Sequence, residues 1–175
     1  MFNQGDEFLF EPITLIVGDQ GCGKSTLLKT FSMKPTPVKV TTTNGEKIQT
    51  LSFDFEKDNP RQTGKFESAI NKVGAGAAIS LLHSSHGQAV KALLRTLNEN
   101  PGVTFFIDEP DMALSIRSCY ELVEMVKSSS ASGCQIIMAV HNPIIISSFQ
   151  SVLSIEHRRW MTSKEFIASH SPKGN

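Results

Sequence analysis

The sequence predicts an α/β fold in which helices flank a mostly parallel central sheet. Three short apolar runs, residues 13–17, 103–107 and 135–140, have the length and composition of parallel strands that are covered on both faces. Patterns of helical spacing lie between these runs, so strands and helices alternate along the chain. With 175 residues the chain is long enough to bury one substantial core, and we expect residues 1–175 to form a single domain.

The first strand and the first helix flank a glycine-rich loop. Residues 8–17 predict one or two strands, because Pro12 interrupts the run. The helix that begins near Ser25 should end near Met33, since the Lys-Pro-Thr-Pro segment that follows cannot continue a helix. The order of strand, glycine-rich loop and helix is typical of phosphate-binding folds.

An early β-hairpin subdomain is predicted after this helix. Residues 38–43 are rich in β-branched side chains, and Asn44-Gly45 is a strong signal for a two-residue hairpin turn. We expect residues 48–55, with their alternating apolar side chains, to form the returning strand. The polar residues 56–65 are predicted to be a loop.

The second half of the chain continues the alternation. Residues 66–82 predict a loop running into a short helix, because Gly74 and Gly76 lower the helix propensity. Residues 152–155 predict a third central strand, and Thr162 should cap a final helix that runs through Ala168. Two other helices are predicted from apolar stripes at helical spacing. The stripes are Val90, Leu93, Leu94 and Leu97 for the first, and Ile116, Cys119, Val123 and Val126 for the second.

Composition limits the classes of function. Lys plus Arg and Asp plus Glu both number 17, so the zero net charge does not by itself call for a nucleic acid or a membrane surface. The N-terminus lacks a secretory signal, and no apolar run approaches the roughly 18 residues that span a bilayer. The three cysteines lack metal-ligand spacing and are expected to be small core residues in a reducing compartment. We therefore expect a soluble, cytoplasmic protein with no membrane insertion.

The glycine-rich loop matches G-x-x-x-x-G-K-[ST] without a mismatch. Its backbone N–H groups and the following helix N-terminus are suited to phosphate oxygens, and Lys24 adds a charge for the β- and γ-phosphates. The Ser25 hydroxyl is predicted to be a ligand for Mg²⁺. The sequence therefore predicts a P-loop that binds ATP as substrate with Mg²⁺ as cofactor. Its nucleotide-binding residues are Gly18, Asp19, Gln20, Gly21, Cys22, Gly23, Lys24, Ser25 and Thr26.

Acidic and imidazole side chains follow the second and third apolar runs. Asp108 and Glu109 come directly after residues 103–107, at the sheet edge where ligands bind in open α/β folds. Asp108 is predicted to be a metal ligand, and Glu109 the base that orients and deprotonates the attacking water. His141 ends the next strand and is predicted to contact the γ-phosphate or the water. The alternatives are a solvated acidic turn before Pro110 and a packed or capping histidine.

A second anion site is predicted where residues 84–88, Ser-Ser-His-Gly-Gln, open the next helix. Serine hydroxyls and a glycine at a helix N-terminus are suited to a phosphate. Because the domain has only one P-loop motif, the molecule that would supply a phosphate to this second site is left open. The alternative is an ordinary N-cap by Ser84 or Ser85.

The four motifs in this order resemble an ABC-type ATPase domain. They are the P-loop, Ser-Ser-His-Gly-Gln, the segment from Phe105 to Ser115, and Val-His-Asn-Pro. Within that class the chain is most similar to compact, stand-alone ABC-like ATPases of bacteria and phages, AAA-type ATP-binding domains with a Ser-His-Gly-Glu variant of the signature. The resemblance implies an ATP-dependent homodimer, with residues 113–115 as the D-loop and His141 as the switch histidine. It also implies a signature that binds the ATP held by the other subunit, formed by Ser85, Gly87 and Gln88.

Two features depart from the ABC pattern. His86 stands where the first of two glycines is usual. The Q-loop position is left open among Gln49, Asp54, Glu56 and Gln62, and the adenine-stacking residue between Phe8 and Phe10.

The leading hypothesis is an ATP-hydrolysing dimer that drives a conformational change in a protein effector or on a nucleic acid. Long coiled coils are not predicted, because residues 25–82 carry no heptads. A membrane transporter's nucleotide-binding subunit is the first alternative, although the segment before the signature looks too short for its helical subdomain. A P-loop small-molecule kinase is the second, and the Asp-Glu pair with a strand-end histidine argues against it.

Overall fold

The structure is a computed structural model and describes residues 9–32, 49–55, 57–83, 88–92, 95 and 101–171. The strands are β1 (Ile13–Val17), β2 (Gln49–Asp54), β3 (Val103–Asp108), β4 (Gln135–Ala139), β5 (Ser151–Ser154) and β6 (Arg159–Thr162). The helices are α1 (Lys24–Ser32), α2 (Pro60–Thr63), α3 (Phe66–Val73), α4 (Ala75–His83), α5 (Ile116–Ala131), α6 (Pro143–Ser147) and α7 (Ser163–His170). Residues 88–92 are also helical.

Within the described residues the strands form one six-stranded sheet in the order β2-β3-β4-β1-β5-β6. All neighbouring strands pair in parallel except β5 and β6, which are antiparallel. The predicted α/β fold with a mostly parallel central sheet is therefore confirmed. β4 lies between the strand that leads into the P-loop and the strand that ends at Asp108, so three loops converge at one edge of the sheet.

Both faces of the sheet are covered, which explains why its central strands are apolar runs. All six residues of β3 are buried. Phe105 and Ile107 belong to the larger core cluster, whereas Phe106 points to the smaller one on the opposite face, together with Leu28 of α1. Burying each such side chain contributes about 1.5–3 kcal/mol before the entropy of ordering it is subtracted.

The strand predicted as the return of an early hairpin is the outermost strand of the sheet within the described residues. β2 pairs in parallel with β3 from Gln49–Val103 to Asp54–Asp108. Its apolar residue Phe53 is buried in the same core as Phe105. The predicted first strand and its Asn44-Gly45 turn lie outside the residues that the structure describes.

The segment predicted as a loop running into a short helix contains two helices, α3 and α4. Gly74 separates them with φ of 81°, a left-handed conformation that ends α3, and its N–H donates to the Ile70 carbonyl. Ala69, Val73 and Ala78 are buried in the core. The prediction was wrong because packing of small apolar side chains outweighs the low propensity of the glycines.

The predicted helices α5 and α7 are present, although Ile116 of the α5 stripe is exposed. The prediction of a loop over residues 56–65 was wrong for α2, and α6 was not predicted. The Ser115 side chain accepts a hydrogen bond from the Ser118 N–H and caps α5, which buries Cys119, Val123 and Val126. The Thr162 side chain caps α7 by accepting from the Glu165 N–H. β6 was not predicted, since four residues at a sheet edge carry little pattern.

Within the described part of the chain, the helices are too short or too polar for any of them to cross a membrane.

Candidate nucleotide-binding and catalytic site

The loop between β1 and α1 has the backbone that a phosphate cradle needs. Gly18 and Gly21 have φ of 147° and 83°, conformations that side chains disfavour. A Cβ atom at Gly18 would also lie 2.7 Å from the Cys22 sulfur, so only glycine fits there. The loop therefore turns sharply and brings successive peptide groups to the N-terminus of α1.

Lys24 is held inside this loop. Its side chain is buried, and its ammonium group donates to the Gly18 carbonyl at 2.8 Å and to the Asp19 carbonyl at 2.9 Å. The Cys22 sulfur lies 3.8 Å away. The loop thus holds the positive charge at the mouth of the P-loop and restrains it through the same peptide groups that shape the turn.

Ser25 and Asp108 are in direct contact across the sheet edge. The Ser25 hydroxyl donates to Asp108 Oδ1 at 3.0 Å. Burial raises the pKa of the Asp108 carboxyl above its ordinary value, the Ser25 hydrogen bond opposes this, and the charges of Asp54 and Glu109 raise the pKa further. A hydroxyl and a carboxylate whose negative charge is destabilised by its surroundings are suited to a hard divalent cation such as Mg²⁺.

Glu109 and His141 also meet, each from the loop after its own strand. His141 Nε2 lies 3.3 Å from Glu109 Oε1, and both side chains are about one-third exposed, at 38% and 32%. Glu109 has φ of 52°, an unfavourable conformation for a non-glycine residue that precedes a proline. Its N–H donates to the Ala139 carbonyl at 3.1 Å, which ties the turn to the end of β4. Such strained positions are concentrated at functional sites.

Two cavities adjoin His141. The larger, of about 370 Å³, lies between the start of the P-loop and α7 and is lined by residues that include Gly18, Asp19 and His170. The smaller, of about 240 Å³, is lined by Glu109, Asp111, Met112, His141 and Asn142. The imidazole therefore stands between the P-loop and the Glu109 carboxylate.

Asp54 is a further carboxylate at this edge. It is the register partner of Asp108 at the end of β2, and it pairs with Lys29 of α1 at 3.6 Å and with Lys57 at 3.4 Å. Of the four residues left open for the Q-loop position, Asp54 is placed beside the predicted metal ligands. Gln49 begins β2 at the opposite edge, Glu56 is not described, and the Gln62 side chain is not described.

An acidic residue absent from the sequence predictions holds the P-loop. The Asp19 N–H donates to Glu156 Oε1 at 2.5 Å, and Glu156 Oε2 contacts His170 Nε2 at 3.1 Å. The Asp19 hydrogen bond, followed by His170, holds the pKa of Glu156 below its ordinary value. Hydrogen bonding to the Phe166 carbonyl and then to Glu156 raises the pKa of His170. A sequence signal existed, because Glu156 follows β5 much as Asp108 ends β3.

The residues of the predicted signature are only partly within the structure. Ser85 and Gly87 are outside the described residues, and Gln88 begins the helical residues 88–92. In the predicted D-loop, Ala113 has φ of 56°. Phe10 packs edge-on against Phe31 at 5.2 Å, so this candidate for adenine stacking is part of the core packing. Phe8 is not described.

Comparisons with known proteins support a P-loop NTPase fold. A solved structure of an ATP-binding subunit of an ABC transporter is similar over 91% of this chain and 83% of that chain, with a TM-score of 0.54 and 17% sequence identity. At that identity the likeness establishes the fold. The comparison with curated proteins finds no match. The model of a family described as an AAA domain matches residues 11–145, most of the chain. The chain therefore belongs to this AAA domain family of P-loop NTPases.

Proposed function

We propose that this protein binds ATP with Mg²⁺ and hydrolyses it, as an ABC-type ATPase that works as an ATP-sandwiched homodimer. The observation that carries the proposal is the meeting of two pairs at one sheet edge. Ser25 contacts Asp108, and Glu109 contacts His141. Both pairs lie beside the loop that holds Lys24. A P-loop that serves only to bind phosphate has no need of the second pair.

Each residue has a role in the proposed reaction. Lys24 exchanges its carbonyl partners for oxygens of the β- and γ-phosphates. Ser25 and Asp108 would hold Mg²⁺, which would neutralise phosphate charge. Glu109 takes a proton from water as the water oxygen forms a bond to the γ-phosphorus. The bond between the γ-phosphorus and the oxygen that bridges the β- and γ-phosphates breaks, and ADP leaves. His141 keeps the Glu109 carboxylate oriented through the contact at its Nε2.

The direct test is release of inorganic phosphate from ATP by the purified chain, with and without Mg²⁺. We expect turnover that requires Mg²⁺ and is abolished in Lys24→Ala. A chain that binds ATP tightly yet releases no phosphate under any condition would contradict the hydrolase proposal but would leave nucleotide binding intact.

The homodimer is tested separately, by sedimentation of the Glu109→Gln variant with and without ATP. The proposed signature residue Ser85 contacts the γ-phosphate bound to the other subunit, so ATP should produce a two-fold dimer that buries on the order of 1,200–2,000 Å² in total. Ser85→Arg should block this dimer and leave ATP binding unchanged. Ser128→Arg, on the exposed end of α5, is the matched control and should still dimerise. A dimer that survives Ser85→Arg would rule out the ABC-type mechanism.

The proposed ATPase cycle would change the conformation of a partner molecule, which a pull-down can identify. Glu109→Gln, which should keep the ATP-bound state, is the suitable bait for a pull-down from the native cell. A nuclease or other soluble protein, a nucleic acid, or a membrane permease would each identify a different cellular role for the cycle.

A further inference from the structure

Asp111 is a buried carboxylate that accepts two hydrogen bonds from consecutive peptide groups of another loop. The His141 N–H donates to its Oδ2 at 2.7 Å and the Asn142 N–H at 2.6 Å. The residue is only 6% exposed. A carboxylate is costly to bury unless charge-assisted hydrogen bonds satisfy it, and bonds of this length belong to that strong class.

These bonds join the loop after β3 to the loop after β4. The loop after β3 donates to the end of β4 through the Glu109 N–H, which bonds to the Ala139 carbonyl. The loop after β4 donates back through the His141 N–H, which bonds to the Asp111 carboxylate. Glu109 and Asp111 flank Pro110, so the two loops are linked on both sides of one short turn. The contact between His141 Nε2 and Glu109 Oε1 belongs to the same pair of loops.

The peptide N–H groups of His141 and Asn142 lie outside regular secondary structure and take Asp111 as their acceptor. β4 ends at Ala139, and α6 begins at Pro143, so His141 and Asn142 lie between two regular elements. The Asn142 side chain is engaged with α6, because its Oδ1 accepts from the Ile144 N–H. Asp111 therefore supplies the acceptor for both peptide groups that set where the imidazole leaves the sheet.

We propose that Asp111 is the positioning residue that places the His141 imidazole against the Glu109 carboxylate. This inference rests on the proposed hydrolysis at that pair and adds a residue to it. Asp111 acts through its acceptor oxygen on the backbone of His141. Misplacing a reacting group by about 1 Å can cost on the order of 10²-fold in rate, so the loss of this anchor should appear in kcat.

The test compares Asp111→Ala and Asp111→Asn for kcat and for the Kd of a non-hydrolysable ATP analogue. In Asp111→Ala we expect kcat to fall by about 10- to 10²-fold with Kd within about threefold of the parent, as expected for a lost positioning group. Asp111→Asn keeps a carbonyl oxygen of the same reach, so it should recover most of the lost rate. A purely stabilising residue would not separate kcat from Kd in this way.

Thr104→Val is the matched control. The Thr104 hydroxyl donates to Gln135 Oε1 at 3.0 Å, and so joins the same two strands at the opposite edge of the sheet. Removing this bond should lower stability but leave kcat unchanged. If Asp111→Ala keeps the parental kcat, or if Asp111→Asn is as impaired as Asp111→Ala, Asp111 is not a positioning acceptor.

Amide hydrogen exchange of the unaltered chain tests the inference even if Asp111→Ala does not fold. The His141 and Asn142 amides should exchange slowly, although their acceptor is a side chain. Exchange at the rate of exposed amides would overturn the proposal. If the parent chain itself hydrolyses no ATP, the proposed function fails, and the exchange result still decides whether Asp111 holds this loop.

Discussion

Glu109 Oε1 lies 3.3 Å from His141 Nε2, although the two residues follow different strands, β3 and β4. The parallel pairing of these strands, with Asp108 opposite Ala139, brings both loops to the same edge. A carboxylate held by an imidazole is the arrangement that an oriented general base requires.

Glu109→Gln should keep ATP binding and lower kcat by about 10²–10⁴-fold, because the amide cannot accept the proton of the attacking water. The measurements are steady-state phosphate release and titration calorimetry with a non-hydrolysable analogue. Glu124→Gln, an exposed change on α5, is the control and should retain the parental rate. Parental turnover in Glu109→Gln would place the base elsewhere, with His141 the first residue to examine.

Lys24→Ala should weaken binding of the ATP analogue by at least about tenfold, and complete loss of detectable binding is the expected limit. One hydrogen bond to a charged group is worth about 1.5–3 kcal/mol, and each 1.4 kcal/mol is tenfold in Kd. Lys127→Ala removes an exposed lysine of α5 and should bind normally. Near-parental affinity in Lys24→Ala would mean that the P-loop assignment is wrong.

Asp108→Asn should raise the melting temperature of the nucleotide-free, metal-free protein while shifting the Mg²⁺ requirement of hydrolysis. The pKa of Asp108 is raised, chiefly by burial, so its ionised form destabilises the folded state at neutral pH. The folded state binds the proton more tightly than the unfolded state, so the advantage of Asp108→Asn should shrink as the pH falls. Calorimetric melts at several pH values measure this. A lower melting temperature for the variant at pH 7 would contradict it.

His170 should make stability depend on pH. Its Nε2 faces Glu156 at 3.1 Å and Asp19 at 3.9 Å, the Phe166 carbonyl lies 2.9 Å from its Nδ1, and the His157 ring is 6.4 Å away. Since its pKa is raised above 6.5, its contribution is complete below pH 6.5 and is lost as the pH rises through the folded value. The pKa of Glu156 is lowered below 4.5, so that contribution is complete above pH 4.5 and is lost on acidification.

The contact should therefore be strongest between pH 4.5 and 6.5. At this partly exposed site it is worth about 1 kcal/mol or less, which corresponds to about 2–4 °C at most in melting temperature. His170→Gln should remove that part of the pH dependence, whereas His83→Gln, at the exposed end of α4, should leave it in place. Identical pH profiles for His170→Gln and the parent would refute the assignment.

The sequence carried enough information to predict the local parts of the site. The P-loop pattern lies in one continuous stretch, and its strand and helix are recognisable on either side. Asp108, Glu109 and His141 were found because each lies at or just after the end of a buried parallel strand, and such ends share one edge of the sheet. These signals are short-range, so they need no knowledge of which strands are neighbours. The catalytic roles of these residues remain predictions.

Only the tertiary structure decided which strands are neighbours and which distant residues meet. The position of β4 between β1 and β3, and the pairing of β2 with β3, follow from long-range packing that no local pattern records. Asp111 stood in a recognised motif without a role until its bonds to the His141 loop were known. The role of Glu156 and His170 likewise became visible only from their contacts with Asp19, which is far away in sequence. Local sterics and the spacing of apolar residues determine which segments form helices and strands, so the sequence reveals them. A buried carboxylate needs hydrogen-bond donors, and these come from residues that are distant in sequence and meet only in the folded chain.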